Sequence, residues 1–316
     1  MLWILGIALL WLAVSFICFM LVCFTFRRPQ PEFPIPPGEA YQPYRSLMVE
    51  GMKRMRSYPH EVFTITSHDG LTLSGRYYEY APGAPMEIMF HGYRGTADRD
   101  LCVGMERAFA LGHSCLIVDQ RTTGGSGGHL ITFGIWEYRD CLRWVDFAVE
   151  HFGKDVRIIL TGISMGASTV LMAAGEPLPS NVVGVLADCG YSSAKEIIKI
   201  VIRQLKLPAG LLYPFVKLGA RLFGGFRLEE ITATEAVKQS KIPVLLIHGE
   251  SDAFVPCDMS RENYEACASR KKLLTIPGAG HGLSFLVDPS RYLMEMSEFF
   301  EDPIAPDKRY IFPDDT

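Results

Sequence analysis

The pattern of apolar and polar positions divides the chain into an apolar start, a proline-rich stretch and a long region of alternating strand and helix signals. Residues 1–26 contain no charged side chain, and an apolar run of this length is sufficient for one helix to cross a bilayer. Six prolines lie between Pro29 and Pro43, a composition that favours an extended, semi-rigid spacer. We predict a transmembrane anchor over 1–26, a linker over 27–58 and a folded domain over 59–316.

Inside the folded domain the spacing of apolar residues changes repeatedly between the patterns of strands and of helices. Residues 61–66 and 71–80 alternate around His68-Asp69-Gly70, which indicates a β-hairpin. Short apolar runs then alternate with helical patterns, with strands predicted at 86–90, 115–118, 156–160, 182–187, 243–248 and 272–276 and helices near 98–111, 135–151 and 289–300. This βαβ series predicts an α/β fold with a mainly parallel, doubly wound sheet.

The segment between Asp188 and Pro243 is too long for a simple connection between strands. We predict a helical cap over about 190–240 that roofs the ligand pocket. One face of its first helix is apolar and the other is basic; the apolar side chains are Ile197, Ile198, Val201, Ile202 and Leu205, and the basic ones are Lys195, Lys199, Arg203 and Lys206. Two interpretations stay open: an ordinary cap with its basic stripe in solvent, or a lid that rests on an anionic membrane surface.

Composition narrows the function classes. The chain has 316 residues and a formal net charge of −4, which is typical of one large globular domain with appendages and does not indicate a nucleic-acid partner. Charge is segregated, because residues 195–228 carry seven basic side chains against Glu196 alone, a net +6. The eight cysteines are scattered and form no C-x-x-C pair. The sequence also contains no H-E-x-x-H motif and no P-loop, so it indicates neither a metal site nor a nucleotide cofactor.

The charges that flank the apolar start predict an orientation. No Lys or Arg precedes the run, whereas Arg27 and Arg28 follow it. The positive-inside rule then gives a single-pass membrane protein with its folded domain in the cytoplasm. An extracytoplasmic domain is the alternative, and a cleaved signal peptide is a weaker one because no cleavage site is evident.

The first candidate for chemistry is the stretch Thr161-Gly162-Ile163-Ser164-Met165-Gly166, which follows a predicted buried strand and opens a predicted helix. A G-x-S-x-G sequence in this context is typical of a nucleophile elbow. Gly162 and Gly166 remove the Cβ atoms that would clash where strand and helix nearly touch. Ser164 is therefore the candidate nucleophile.

Acid and base candidates follow at the ends of later strands. Asp252 lies in Ile247-His248-Gly249-Glu250-Ser251-Asp252 and His281 lies in Gly278-Ala279-Gly280-His281-Gly282, so the chain order is Ser, Asp, His. We predict that His281 takes and returns the serine proton and that Asp252 orients its imidazole. Asp188 and Asp258 are competitors for the acid position.

A third segment supplies candidate oxyanion donors. His91-Gly92-Tyr93-Arg94-Gly95 follows the strand predicted at 86–90. Acyl transfer needs two donors aimed at the developing oxyanion, and we predict the backbone amides of Tyr93 and Met165 for this role. His91 is interpreted as a residue that braces the loop through hydrogen bonds.

Together, Phe90-His91-Gly92-Tyr93, the G-x-S-x-G segment, His248-Gly249-Glu250-Ser251-Asp252 with Val255-Pro256, and Gly280-His281 resemble the α/β-hydrolase superfamily. Within it the chain looks most like the Bem46-like and prolyl-oligopeptidase-like serine hydrolases and bacterial esterases. The resemblance covers about residues 59–300 and implies a Ser-His-Asp hydrolase without metal or organic cofactor, with Ser164, Asp252 and His281 at the triad positions. One departure concerns the substrate side: residues 119–126 read Asp-Gln-Arg-Thr-Thr-Gly-Gly-Ser, where such proteins often read D-x-R-G-x-G-x-S.

These features predict a membrane-anchored serine hydrolase that cleaves carboxylic esters with an apolar acyl or aryl group. Its partners would be a small-molecule ester and the membrane, contacted through the N-terminal helix and the basic cap. A prolyl-oligopeptidase-type peptidase, a thioesterase and a lysophospholipase or monoacylglycerol lipase are alternative activities. A non-catalytic ligand receptor built on the same fold is the alternative from another class.

Overall fold

The computed structural model of the protein describes residues 2–26 and 30–301. Arg27 and Arg28, on which the predicted membrane orientation rests, lie outside the described residues. The last part of the predicted domain, residues 302–316, also lies outside them.

A single eight-stranded sheet organises the described residues. Its strands are β1 (Glu61–Thr66), β2 (Thr72–Tyr78), β3 (Met86–Phe90), β4 (Ser114–Asp119), β5 (Ile158–Ile163), β6 (Val182–Asp188), β7 (Val244–Gly249) and β8 (Lys271–Ile276). The spatial order is β1-β2-β4-β3-β5-β6-β7-β8. The pairs β1–β2 and β2–β4 are antiparallel, and the pairs from β4 through β8 are parallel. The prediction of a mainly parallel, doubly wound sheet is confirmed.

Helices cover both faces of this sheet. They are α1 (Leu2–Val22), α2 (Arg45–Ser57), α3 (Ala97–Ala110), α4 (Glu137–Phe152), α5 (Met165–Ala173), α6 (Ala194–Gln204), α7 (Ala209–Phe223), α8 (Ala233–Val237), α9 (Cys257–Ala266), α10 (Ser284–Val287) and α11 (Pro289–Phe300), with a 3₁₀ helix at Glu39–Tyr44. The central strands β3 to β7 are buried on both sides, because successive side chains alternate between the two faces and helices cover both. Thus Ile88 and Phe90 of β3 join the core with α4 and α5, whereas Met89 joins the core with α2 and α3.

Part of the predicted linker is folded, which corrects the boundary at residue 58. Residues 45–57 form α2, and its side chains Met48, Met52 and Met55 are buried. These methionines recur at helical spacing, so they form one apolar stripe that packs against α3 near Cys102. The prolines end before this stripe begins, and among the described linker residues Tyr58 and the part before Glu39 lack helical structure.

Helix α1 is long and apolar enough to cross a membrane over Trp3–Val22. Its N-terminal half is exposed, whereas its C-terminal half packs against α7 of the cap. Trp11 contacts Phe215 with ring centroids 4.7 Å apart, and Phe16 contacts Phe223 at 5.1 Å. Between these contacts a Cβ at Gly219 would collide with the carbonyl of Ser15, so glycine permits the close approach of the two helices.

The cap consists of α6, α7 and α8, between β6 and β7. Ile197, Ile198 and Ile202 of α6 are buried in one apolar cluster with residues of α1 and α7. Leu205 does not belong to this buried face as predicted, because α6 ends at Gln204 and the Leu205 side chain is 65% exposed in the following turn.

A buried ion pair ties the centre of the sheet to its helical layer. Glu87 of β3 is fully buried and accepts hydrogen bonds from Arg107 of α3 (2.5 Å) and from Thr161 of β5 (2.7 Å), with His113 3.0 Å away. Burial alone would raise the pKa of Glu87, but the charge of Arg107 and the hydrogen bonds from His113 and Arg107 outweigh it and lower the pKa to about 2. Glu87 is therefore ionised in the folded protein.

We predict that Glu87→Gln lowers the free energy of unfolding by about 3–5 kcal/mol, because it leaves the buried Arg107 without a counter-charge. The depressed pKa means that the contribution of Glu87 is present above its ordinary pKa and is lost as pH falls towards 2. Urea unfolding of the detergent-solubilised protein at pH 7 and pH 4 measures both effects. Glu262→Gln, on the exposed face of α9, is the matched control. An unfolding free energy equal to that of the control would contradict the prediction.

Candidate active site

The turn between β5 and α5 has the strained geometry of a nucleophile elbow. Ser164 has φ of 57° and ψ of −118°, a conformation that non-glycine residues rarely adopt and that costs energy. A Cβ at Gly162 would collide with the backbone of Gly166, and a Cβ at Gly166 would collide with the carbonyl of Phe90 on β3. The amide of Ser164 donates to the carbonyl of Asp188 (2.8 Å), which holds the turn against β6.

The side chains of Ser164, His281 and Asp252 form a continuous hydrogen-bonded row. Ser164 Oγ lies 2.9 Å from His281 Nε2, and His281 Nδ1 lies 2.6 Å from Asp252 Oδ2. They come from three different loops, after β5, after β7 and after β8, which meet at the carboxyl edge of the sheet. The structure thus brings together the three side chains that the sequence singled out.

The carboxylate of Asp252 is buried and accepts several hydrogen bonds. Its Oδ1 accepts from the amides of Phe254 (2.8 Å) and Val255 (2.9 Å), and Nε2 of His248 lies 3.3 Å from Oδ2. Burial raises the pKa of this carboxyl, but the hydrogen bonds from His248 and His281 dominate and hold the pKa well below its usual range. Sequence reasoning missed His248, although it precedes the acid loop at the end of β7.

The two competing acids, Asp188 and Asp258, have other surroundings. Asp188 accepts hydrogen bonds from Ser284 (3.2 Å) and Tyr292 (3.1 Å). Asp258 lies in the first turn of α9 with its side chain 83% exposed. Among these three carboxylates, the one hydrogen-bonded to His281 belongs to Asp252.

The loop after β3 lies beside the serine, since a Cβ added at Gly92 would lie 3.4 Å from Ser164 Cβ. Gly95 N donates to Gly92 O (3.0 Å), which closes a turn with Tyr93 at its second position. Gly92 N donates to the carboxylate of Asp100 (3.0 Å), a residue of α3 that carried no signal in the sequence. Met165 opens α5, and the first amides of a helix have no partner within it. The amides of Tyr93 and Met165 stay the predicted oxyanion donors.

His91 makes the hydrogen bonds expected of a bracing residue. Its Nε2 lies 2.9 Å from Thr123 Oγ1 and accepts from the amide of Gln120 (3.1 Å), and the Gln120 side-chain amide donates back to the His91 carbonyl. The divergent segment 119–126 thus supports the loop after β3. Arg121 is turned inward and pairs with Asp140 (2.8 Å).

A pocket of about 540 Å³ opens at Ser164. Its wall includes Met89, Leu101, Ile163, Phe254, Phe285 and Leu286, and among the described residues none of α6 or α7 lines it. The prediction that the cap roofs the pocket is therefore wrong, because α7 of the cap packs against α1 instead. The segment Pro36–Tyr41 lines the pocket, and the Tyr41 hydroxyl donates to the carbonyl of His281 (2.9 Å).

Within the part of the chain that the structure describes, two groups of side chains come close enough to share a cation: Cys189 with Asp252 and His281, and His68 with Asp69 and Asp140. In the first group the Asp252 carboxylate already holds His281, and burial raises the pKa of the Cys189 thiol well above its ordinary value. In the second group Arg121 donates to both carboxylates. Protein donors therefore already occupy the carboxylates of both groups.

Comparisons with known proteins agree with this architecture. Residues 88–235 match the family described as the alpha/beta hydrolase fold, and residues 197–283 match the family described as serine hydrolase (FSH1). The chain is 28% identical to the uncharacterised protein YqkD of Bacillus subtilis over 243 residues, which are 76% of this chain and 79% of YqkD. It is 25% identical to the bifunctional esterase/perhydrolase DCH of Acinetobacter calcoaceticus, over 69% of this chain and 92% of that protein.

A solved structure of the Pyrococcus furiosus esterase Pf2001 shares the fold with a TM-score of 0.65 and 24% identity, over 89% of this chain and all of that chain. The family matches span the elbow, the cap and the segments that contain Asp252 and His281. The resemblance inferred from the sequence is confirmed: the chain has the α/β-hydrolase fold, and its matches indicate a serine hydrolase.

Proposed function

We propose that the protein is a membrane-bound carboxylesterase that works through an acyl-enzyme on Ser164. The observation that carries this proposal is the unbroken row from Ser164 Oγ through His281 to Asp252, with links of 2.9 and 2.6 Å. A serine hydroxyl is a weak nucleophile until an adjacent base takes its proton. Nε2 of His281 is in position to do so, and the ionised Asp252 stabilises the imidazolium that forms.

The reaction then follows from the geometry. Ser164 Oγ attacks the ester carbonyl carbon as its proton moves to His281, and the carbonyl oxygen becomes an oxyanion. The amides of Tyr93 and Met165 donate to that oxyanion. His281 returns the proton to the departing alcohol, which leaves the acyl group on Ser164. A water molecule attacks the acyl-enzyme by the same route and releases the acid.

The pocket favours esters with an apolar acyl or aryl group. Met89, Leu101, Ile163 and Phe285 supply apolar surface beside Ser164, and pockets of this size and character bind largely apolar small molecules. The names of the similar proteins, an esterase/perhydrolase and an esterase, support ester cleavage for this chain as well.

We expect Ser164→Ala to lower kcat for p-nitrophenyl butyrate by a factor on the order of 10⁶, and His281→Ala by nearly as much, because the residues act as a unit. A fluorophosphonate probe should label the wild-type protein and leave Ser164→Ala unlabelled. Labelling of the alanine variant would move the nucleophile to another residue.

The acid is tested separately. Asp252→Asn should lower kcat on the order of 10⁴-fold, because an asparagine neither holds the imidazole tautomer nor stabilises its cation. Asp258→Asn, a change of the same kind on the exposed face of α9, should leave kcat close to the wild-type value. Equal rates for the two variants would refute the role of Asp252.

The membrane part of the proposal rests on the packing of α1 with the cap. Because α7 runs beside the C-terminal half of α1, the cap lies at the depth of that half when α1 is inserted. The cap also exposes five apolar side chains, which are Leu205, Leu207, Leu211, Leu222 and Phe223. Arg203 and Lys206, on either side of Leu205 in the sequence, are also exposed. An apolar surface bordered by basic residues is typical of contact with an anionic bilayer.

Charge reversal at this border should weaken the contact. In anionic vesicles, Arg203→Glu with Lys206→Glu should lower the hydrolysis of a long-chain ester dissolved in the bilayer about 10-fold or more, because each basic residue near the surface contributes about 1 kcal/mol. Hydrolysis of p-nitrophenyl acetate in detergent should not change. Reversal of Lys238 and Lys241, exposed basic residues beyond the cap helices, is the control. Equal losses in zwitterionic and anionic vesicles would contradict an electrostatic contact.

A further inference from the structure

The C-terminal end of α1 lies directly on the loop that follows β3. The last carbonyls of a helix have no partner inside it, and here the loop provides partners. The Tyr93 hydroxyl donates to the carbonyl of Val22 (2.7 Å), and the Arg94 guanidinium donates to the carbonyls of Leu21 (2.8 Å) and Phe24 (3.0 Å). The cation of Arg94 also faces the negative end of the helix dipole, which strengthens the contact.

The loop residues that make these bonds are held in one conformation. Arg94 has φ of 50°, a strained value that persists only where the surroundings enforce it. The Tyr93 ring stacks on Phe133 at 5.1 Å, and the guanidinium of Arg94 lies 5.1 Å from the centre of the Tyr93 ring. Burial raises the pKa of Tyr93 to about 12, so its hydroxyl remains a donor at neutral pH.

The end of α1 is itself fixed to the domain. Ile131 N donates to Cys23 O (2.8 Å) and Thr25 N donates to His129 O (2.8 Å), and Phe24 forms a bridge with Leu130. Together with the contact between Ser15 and Gly219, these bonds prevent α1 from moving independently of the domain. The loop after β3 is therefore held between Asp100 on its inner side and the end of α1 on its outer side.

We infer that the seated end of α1 positions the oxyanion donor of Tyr93, with the Tyr93 hydroxyl and the Arg94 guanidinium as positioning groups. This inference rests on the proposed function, since it concerns the same oxyanion site. The side chain of Tyr93 bonds to α1, and its backbone amide is the donor that the proposed reaction assigns to the oxyanion. A shift of α1 would thus move the amide relative to Ser164. Loss of one oxyanion donor costs about 10²–10³-fold in kcat, and we expect a displaced donor to cost less than its loss.

The test uses the full chain in detergent micelles. Tyr93→Phe keeps the ring and removes the hydrogen bond to Val22, and Arg94→Ala removes those to Leu21 and Phe24. We expect the double variant to lower kcat about 10- to 100-fold with KM within 2-fold. Its affinity for an alkyl trifluoromethyl ketone, which forms an oxyanion on Ser164, should fall in parallel with kcat/KM. Arg94→Lys should restore part of the loss.

Leu21→Ala is the matched control, because the Leu21 side chain is 67% exposed and the accepting carbonyl remains. Gly219→Ala is a second way to displace the helix, because the added Cβ pushes α1 away from α7 without a change in the loop after β3. We expect it to lower kcat and leave KM nearly unchanged, as in the double variant.

Titration with the fluorophosphonate counts folded sites and separates this inference from the proposed function. If Ser164→Ala is labelled, the proposed function fails. If the wild type titrates fully at Ser164 but the double variant keeps its kcat, or loses activity only in proportion to titratable sites, positioning by α1 is refuted.

Discussion

The structure depends on the close contact of three backbones at the elbow. The missing Cβ atoms at Gly162 and Gly166 let α5 begin directly against β3 and β5. This contact forces Ser164 into a strained backbone conformation, with φ of 57°. It also places the first amide of α5 beside the loop after β3. Any larger side chain at either glycine would separate the serine from the groups around it.

Around this contact, buried charges fix positions that loops alone would leave variable. Asp252 is held by two amides and by His248, so its carboxylate points at His281. Asp100 holds the amide of Gly92 and thereby the loop after β3. Glu87 and Arg107 tie β3 to α3, the two elements that this loop connects. Such groups are costly to bury without partners, and their partners are the elements that carry the site.

The apolar N-terminal helix belongs to the same packing unit as the site. Phe19 of α1 and Cys23, which follows its last residue, share a core with α6, α7, Met165 and Phe133, and Tyr93 packs against that core. If a free linker joined a membrane helix to the catalytic domain, insertion of that helix into a bilayer would leave the domain unchanged. Here the contacts run from the packed half of α1 through this core to the residue after the serine, so the position of the helix and the geometry of the site are linked.

The sequence by itself determined the strands, the elbow and the order of the polar strand ends, because these depend on local periodicity and on glycines at fixed spacing. Eight strands lie where alternation and apolar runs predicted them. Ser164, Asp252 and His281 came from their places after consecutive apolar segments, where parallel strands end at one edge of the sheet. Only the tertiary structure decided what covers the pocket: Tyr41 reaches the carbonyl of His281 from 240 positions away, and the cap packs on α1. Contacts of this kind depend on which apolar faces meet, and neither face specifies its partner.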